Sequence, residues 1–591
     1  MKKTLKRVFG AVLGTTMAMS LLAGCGGGDG TSGNADETYT MWIYSGQDAA
    51  YYLDYEENPA LQYALQKKYG PDEKSLAIDF WVPPSGSAAD NYSTMMGSGD
   101  YPDVIDGSIS DAPTVMYETG QIMDLTELIP QYMPNYMKYL EEHPEIEHKA
   151  YVDIDGEKKM LFIRTMNEDR DYTYSGVEYR RDWIAKYGTN PETGEAFSGE
   201  FTDEDDPDSW VDDVVFPSGG SDPIYISDWE WMFEIFDKAM EAEGITDGYC
   251  LSVYYPGFTW NGDFTSSFGG GSPLWYEDLD GKVQFGADKP QFRALMQCLN
   301  TWYKKGWLDQ SFNQRTSDAH YAIDDTTTRQ GKVGLWVGLE SQLGGRMDVG
   351  ASEYTEGICS YGAPWPINDV YGDESCKNVE PNAVEYTGLT GTTWYITTAA
   401  EGKDLGTLLS FFDYFYTEEG ALLKSLGLSK EQVEETQNQI YLDNGLENGA
   451  YSVKEDGTYL LDPVLQKDSG GLAKAAAFTM VPGITLVSSV DKGYAENYEH
   501  SKALWTLYPN KTFFQGSDVT SYMTEEETKN NGNIHAKILD YMTVNAPNFI
   551  MGKTDPYDDG DWNDWCKMLE KYGYAKVNDV IQPYADKYEI D

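Results

Sequence analysis

Basic residues are scarce in this chain: 43 Lys and Arg stand against 98 Asp and Glu, a formal net charge of −55. A surface this acidic repels nucleic acid and anionic lipid headgroups, which argues against both as partners. Histidine is scarcer still, with five scattered among 591 residues, and no Cys-x-x-Cys occurs, so no zinc signature and no metal is implied. Cysteine numbers six. Apart from Cys25 these are Cys250, Cys298, Cys359, Cys376 and Cys566, an odd set that cannot all pair. Cys359 and Cys376 are close enough in sequence for one disulfide in an exported protein, and the spacing leaves that bond open. Gly-x-Ser-x-Gly, His-Glu-x-x-His and P-loop patterns are all missing, so no nucleophile, metal hydrolase or cofactor is announced. Aromatic residues, by contrast, are plentiful, and 16 Trp, 45 Tyr and 21 Phe exclude a disordered chain.

The N-terminus carries a basic head of Lys2, Lys3, Lys6 and Arg7, with no acidic residue before Asp29. A mostly apolar run from Val8 to Leu22 follows, shorter than the roughly 20 residues that cross a bilayer. This is the pattern of a secretory signal over 1–24. It ends in Leu22-Ala23-Gly24-Cys25, which resembles the lipobox of bacterial lipoproteins. The resemblance implies diacylglycerol on the Cys25 sulfur, and acyl chains contribute about 0.8 kcal/mol per buried methylene to membrane attachment. A Gly-, Ser- and Asn-rich stretch then forms a flexible tether over 25–37.

From Thr38 onward the pattern is α/β, with short apolar strands alternating with amphipathic helices. Thr38–Tyr44 and Leu76–Val82 read as strands, and Ala60–Tyr69 as a helix opened by Pro59. Ser227-Asp228-Trp229-Glu230 reads as a capping box ahead of a Trp229, Met232, Phe233, Phe236, Met240 stripe. Pro290 opens another helix, and a third runs from about Leu405. Asp153–Gly156 and Asp278–Gly281 read as hairpin turns. Residues 189–225 are Gly-, Pro- and Asp-rich and read as an acidic surface insertion whose carboxylates are chiefly solvated, with calcium as the other reading.

Several segments, in order, resemble the extracellular solute-binding protein family 1, especially its long lipoprotein members. They are Ser98-Gly99-Asp100-Tyr101-Pro102-Asp103-Val104-Ile105, the hairpin Asp155 to Ile163, Tyr179-Arg180-Arg181-Asp182-Trp183, Lys305 to Asp309, Gly331 to Trp336, Phe411 to Gly420, and Phe549 to Lys553. The hairpin lacks the family's usual proline. The resemblance implies a two-lobed, periplasmic-binding-protein-like (type II) α/β fold with hinge strands and a long C-terminal helical extension. Lobe one is then expected over 38–165 plus 350–425, lobe two over 166–349, and the tail 426–591 across lobe two and the hinge. It also implies a monomer that captures a carbohydrate, holds it between closing lobes and delivers it to ABC permease subunits, anchored to the outer face of the cell membrane through Cys25. A transport-free glycan sensor or adhesin, a binding protein for another solute such as a peptide, and a glycosidase are the other readings. The last would need two facing carboxylates about 5–10 Å apart.

A neutral sugar offers hydroxyls and flat C–H patches, so polar and aromatic residues just past strand ends are the candidate ligands. These are Trp42 and Tyr44 with Ser45 and Gln47 beyond; Asp106; Trp260 and Asn261 in a Gly-rich run; Trp336 and Glu340; and Trp394. Trp336 and Trp394 are expected to flank the ligand from opposite lobes.

Overall fold

The computed structural model describes residues 35–44, 55–83, 87–154, 156–169, 175–197, 211, 213–251, 264–278, 280–314, 330–340, 343, 358–381, 389–467, 472–491, 497–508 and 523–586. The first strand, Glu37–Trp42, lies parallel to Leu76–Trp81, and the helix Pro59–Leu65 lies on the crossover that a parallel pair requires. Asn58 caps that helix, its side chain accepting from Leu61 N at 3.0 Å, and Pro59 takes the first helical position. Strand Val104–Asp106 joins on the other side of Glu37–Trp42, and Thr390–Ile396 runs antiparallel to it. Ile163–Asn167 and then Ile484–Thr485 complete a six-stranded sheet.

A second sheet has four strands, in the order Ser360–Ala363, Ser175–Arg180, Val333–Leu339, Tyr249–Leu251. Each sheet is covered by its own apolar core. The first packs Met41, Ile78, Val104, Phe411, Phe412 and Phe415. The second packs Tyr179, Trp183, Trp229, Phe233, Leu295 and Trp302. Two sheets with separate cores make two lobes; the described chain lies in the first up to 169, in the second over 175–381, in the first again over 389–491, and in the second from 497 onward.

The lobe boundaries differ from those expected. Ser360–Ala363 belongs to the second lobe because it pairs with Ser175–Arg180, and the following loop stays there, Ile367 N donating to Ile224 O at 2.8 Å. The tail is divided. Leu426, Leu428, Val433, Tyr441 and Leu446 join the core of the first lobe, and Ile484–Thr485 covers the open edge of its sheet. Helices Glu525–Ile550, Asp559–Tyr572 and Tyr574–Ala585 join the second lobe.

Local expectations fare similarly. Both hairpins form, Val152–Ile154 with Glu157–Lys159 and Trp275–Glu277 with Val283–Phe285. The helix expected behind Ser227 starts earlier, at Ile226, and Ser227 donates instead to Asp369 (Oγ to Oδ2, 2.6 Å). Capping passes to Asp228, whose buried carboxylate accepts from the amides of Ser218, Ile224 and Tyr225. The end of the acidic insertion is thereby folded in, with Val211, Val214 and Phe216 inside the core. Arg181 pins the same segment, donating to Val211 O at 2.9 Å and Ser221 O at 2.6 Å. The acidic run 201–210 lies outside the described residues. Among the described residues, no group of three His, Cys, Asp or Glu side chains could hold a metal. The five described cysteines, Cys359 and Cys376 included, are all free thiols.

Candidate functional site: the facing strand ends

The strand pairings fix which sheet edges face the crossings. In the first lobe Asn167 leads out, Thr390 pairs with Met166, and Trp394 pairs with Asp106. The carboxyl ends of Glu37–Trp42, Leu76–Trp81 and Val104–Asp106 therefore lie on the crossing side. In the second lobe Ser175 leads in and pairs with Leu339, while Val177 pairs with Ala363. The carboxyl ends of Val333–Leu339, Ser360–Ala363 and Tyr249–Leu251 share that side. Ligands of open α/β sheets bind outside carboxyl strand ends, which makes these two edges the candidate site.

On the first edge Asp106 is almost fully buried. It accepts from Ser108 N at 2.8 Å, Ser108 Oγ at 2.6 Å and Tyr44 N at 3.3 Å. Burial pushes its carboxyl above the usual range, against the lowering effect of those hydrogen bonds. Tyr44 is half-buried beside it. On the second edge Glu340 follows the last residue of its strand and is mostly buried. Its charge acts on Glu178, a fully buried carboxyl on the neighbouring strand. Burial drives the Glu178 proton affinity well up, a hydrogen bond with Ser360 opposes that, and Glu340 adds to the rise.

The expected tryptophans are placed differently. Trp42 is 1%, Trp336 0% and Trp394 2% exposed, so none offers a free ring face. Trp42 donates to Asn91 Oδ1 at 2.8 Å and packs on Tyr92. Trp394 donates to Thr165 Oγ1 at 3.2 Å within the first core. Trp336 packs with Tyr249 and Val333. Alternation along a strand puts every second side chain inward, and these three fall on covered faces. Trp260, Asn261, Ser45 and Gln47 lie outside the described residues, as does Cys25.

Two other tryptophans occupy the edges. Trp81, the last residue of Leu76–Trp81, is 37% exposed. Trp365, two residues past Ala363, is half-buried and ends a stack of rings that starts in the core of the second lobe. Trp229 lies 6.3 Å from Trp302, Trp302 5.8 Å from Phe264, and Phe264 6.2 Å from Trp365, all nearly parallel. The sequence signal was proline: Val82-Pro83-Pro84 follows Trp81, and Pro364 and Pro366 flank Trp365. Proline cannot donate to a ladder, so a tryptophan beside it stands where a strand stops.

No family model matches the chain. Its sequence is 22% identical over 549 residues to the fructooligosaccharide ABC transporter substrate-binding protein FusA of Streptococcus pneumoniae serotype 4, covering 88% of this chain and 86% of FusA. A crystal structure of the alginate-binding protein AlgQ2 without calcium superimposes with a TM-score of 0.64 at 17% identity, over 94% of this chain and 98% of that one. FusA in complex with kestose gives a TM-score of 0.64 at 17% identity, over 93% and 99%. The chain has the solute-binding-protein fold. Within that fold the Arg180–Asp182 pair is structural. Arg180 Nη2 lies 2.5 Å from Asp182 Oδ2, both are buried, and the guanidinium sits 4.1 Å over the Trp183 ring.

Proposed function

We propose that this protein captures an oligosaccharide between its lobes and hands it to the permease of an ABC importer, without chemical conversion. The observation that carries this reading is the pair of accessible tryptophans, Trp81 and Trp365, one at the crossing-side edge of each sheet. Indole faces suit the C–H patches of sugar rings, while Tyr44, Asp106 and Glu340 supply the few polar groups that orient hydroxyls. FusA, similar along nearly the whole chain, is a fructooligosaccharide-binding protein and supports the same ligand class. Trp260 and Asn261 are proposed to add contacts to this set.

Export and attachment complete the proposal. The signal-like N-terminus and Leu22-Ala23-Gly24-Cys25 support a lipid anchor on the outer face of the membrane, and among the described residues no helix is long and apolar enough to cross it. Labelling with radioactive palmitate should mark the wild type and leave Cys25→Ala unlabelled; equal labelling would remove the anchor. For the ligand, kestose, nystose and a wider glycan panel should include an oligosaccharide that binds at micromolar or lower Kd, about −8 kcal/mol or better. Mass spectrometry after long incubation should return that glycan intact. Shortened products would place the protein among the glycosidases.

A further inference from the structure

Outside the crossing segments, the lobes are joined at a buried point. Thr114, on helix Pro113–Glu118 of the first lobe, donates from Oγ1 to the carbonyl of Met523 in the second, at 3.0 Å. Thr114 is 4% and Met523 1% exposed. Both ends are rigidly held. Behind Thr114, Met116 packs with Val152, Phe162 and Tyr395 in the first lobe. Met523 precedes the long helix Glu525–Ile550, whose capping residue Thr524 exchanges hydrogen bonds with Glu527. Tyr584 locks Glu527 in turn, OH to Oε2 at 2.7 Å, and Asn531 reaches the Met523 sulfur at 3.4 Å. A hydrogen bond between two stiff bodies survives only while those bodies keep one relative position. Separation of the lobes breaks it.

We infer that the Thr114–Met523 hydrogen bond is a latch that stabilises the closed arrangement of the lobes, without touching ligand. The inference rests on the reading that ligand enters and leaves by lobe movement. Its test needs no ligand. Nitroxides attached through Asp79→Cys in the first lobe and Lys238→Cys in the second, both exposed positions, report the interlobe distance by electron double resonance. Thr114→Val keeps the side-chain shape and removes the donor, and should lower the ratio of closed to open forms about five-fold, the size of one net hydrogen bond. Thr114→Ser keeps the hydroxyl and should match the wild type. Thr114→Ala serves as a second donor-free variant if the valine substitution impairs folding. Unchanged distances in the donor-free variants, or a wild type that is already fully open, would overturn the latch. Either result is independent of whether a glycan binds, so failure of the latch and failure of the carbohydrate reading are separable.

Discussion

A lysine buried away from solvent holds its proton weakly, and Lys424 is such a residue. It is 3% exposed, and Nζ donates to Thr485 Oγ1 at 2.5 Å. Burial alone lowers its pKa to about 7. The unfolded chain, with an ordinary lysine, therefore binds the extra proton between about pH 7 and pH 10.5, and stability must rise with pH across that window. Below about pH 7 the full cost is present, on the order of 5 kcal/mol. Lys424→Met should accordingly raise the melting temperature at neutral pH, with the gain shrinking as the buffer approaches about pH 10. A constant difference across that range would show that the amine is solvated. No pattern in the sequence marks Lys424 as buried, because the segment that meets it, Gly483 to Thr485, arrives from about 60 residues on. The tryptophans teach the same lesson in reverse. Trp336 and Trp394 read as residues just past strand ends, whereas both lie inside strands, and which face each ring takes follows from register, which partner strands set.

At the scale of elements, periodicity and turn chemistry carried much further. The first two strands, the two hairpins, and the helices opened by Pro59 and Pro290 form within a few residues of where the sequence places them. These depend on local signals. The helix Tyr498–Trp505 does not, because it lies across the second sheet by courtesy of glycines on strands far away in sequence. A Cβ on Gly362 would come within 2.5 Å of the Ser501 Cβ and 2.8 Å of its Cα, and one on Gly176 would strike the Trp505 ring at 2.4 Å. Ser501 Oγ also accepts from Gly362 N at 2.9 Å. Backbone cannot yield as a flexible side chain can, so Gly362→Ala should cost about 1–3 kcal/mol in denaturant unfolding. A loss below about 0.5 kcal/mol, the size of an ordinary surface change, would show that the helix is not seated as described.

At the scale of the molecule, the two-lobed plan was readable from ordered family-like segments, whereas the division of the tail was not. Both halves of the tail carry apolar residues, and which lobe each covers follows from the surface it meets. The strand ends on the crossing side of both sheets are the proposed place where both lobes hold one ligand. Trp81 and Trp365 are proposed to grip an oligosaccharide from opposite sides. Calorimetric titration of the best glycan from the panel, on wild type, Trp81→Ala, Trp365→Ala and Trp336→Ala, tests it most directly. Loss of a buried aromatic anchor costs about 2 kcal/mol, or roughly 30-fold in Kd. Trp81→Ala and Trp365→Ala should each lose about that much affinity, Trp81→Ala keeping the wild-type melting temperature and Trp365→Ala, whose ring stacks on Phe264, losing less stability than a fully buried tryptophan. Trp336→Ala, which empties a core position, should instead lose about 3–5 kcal/mol of stability. Wild-type affinity in both Trp81→Ala and Trp365→Ala would show that neither ring holds the glycan.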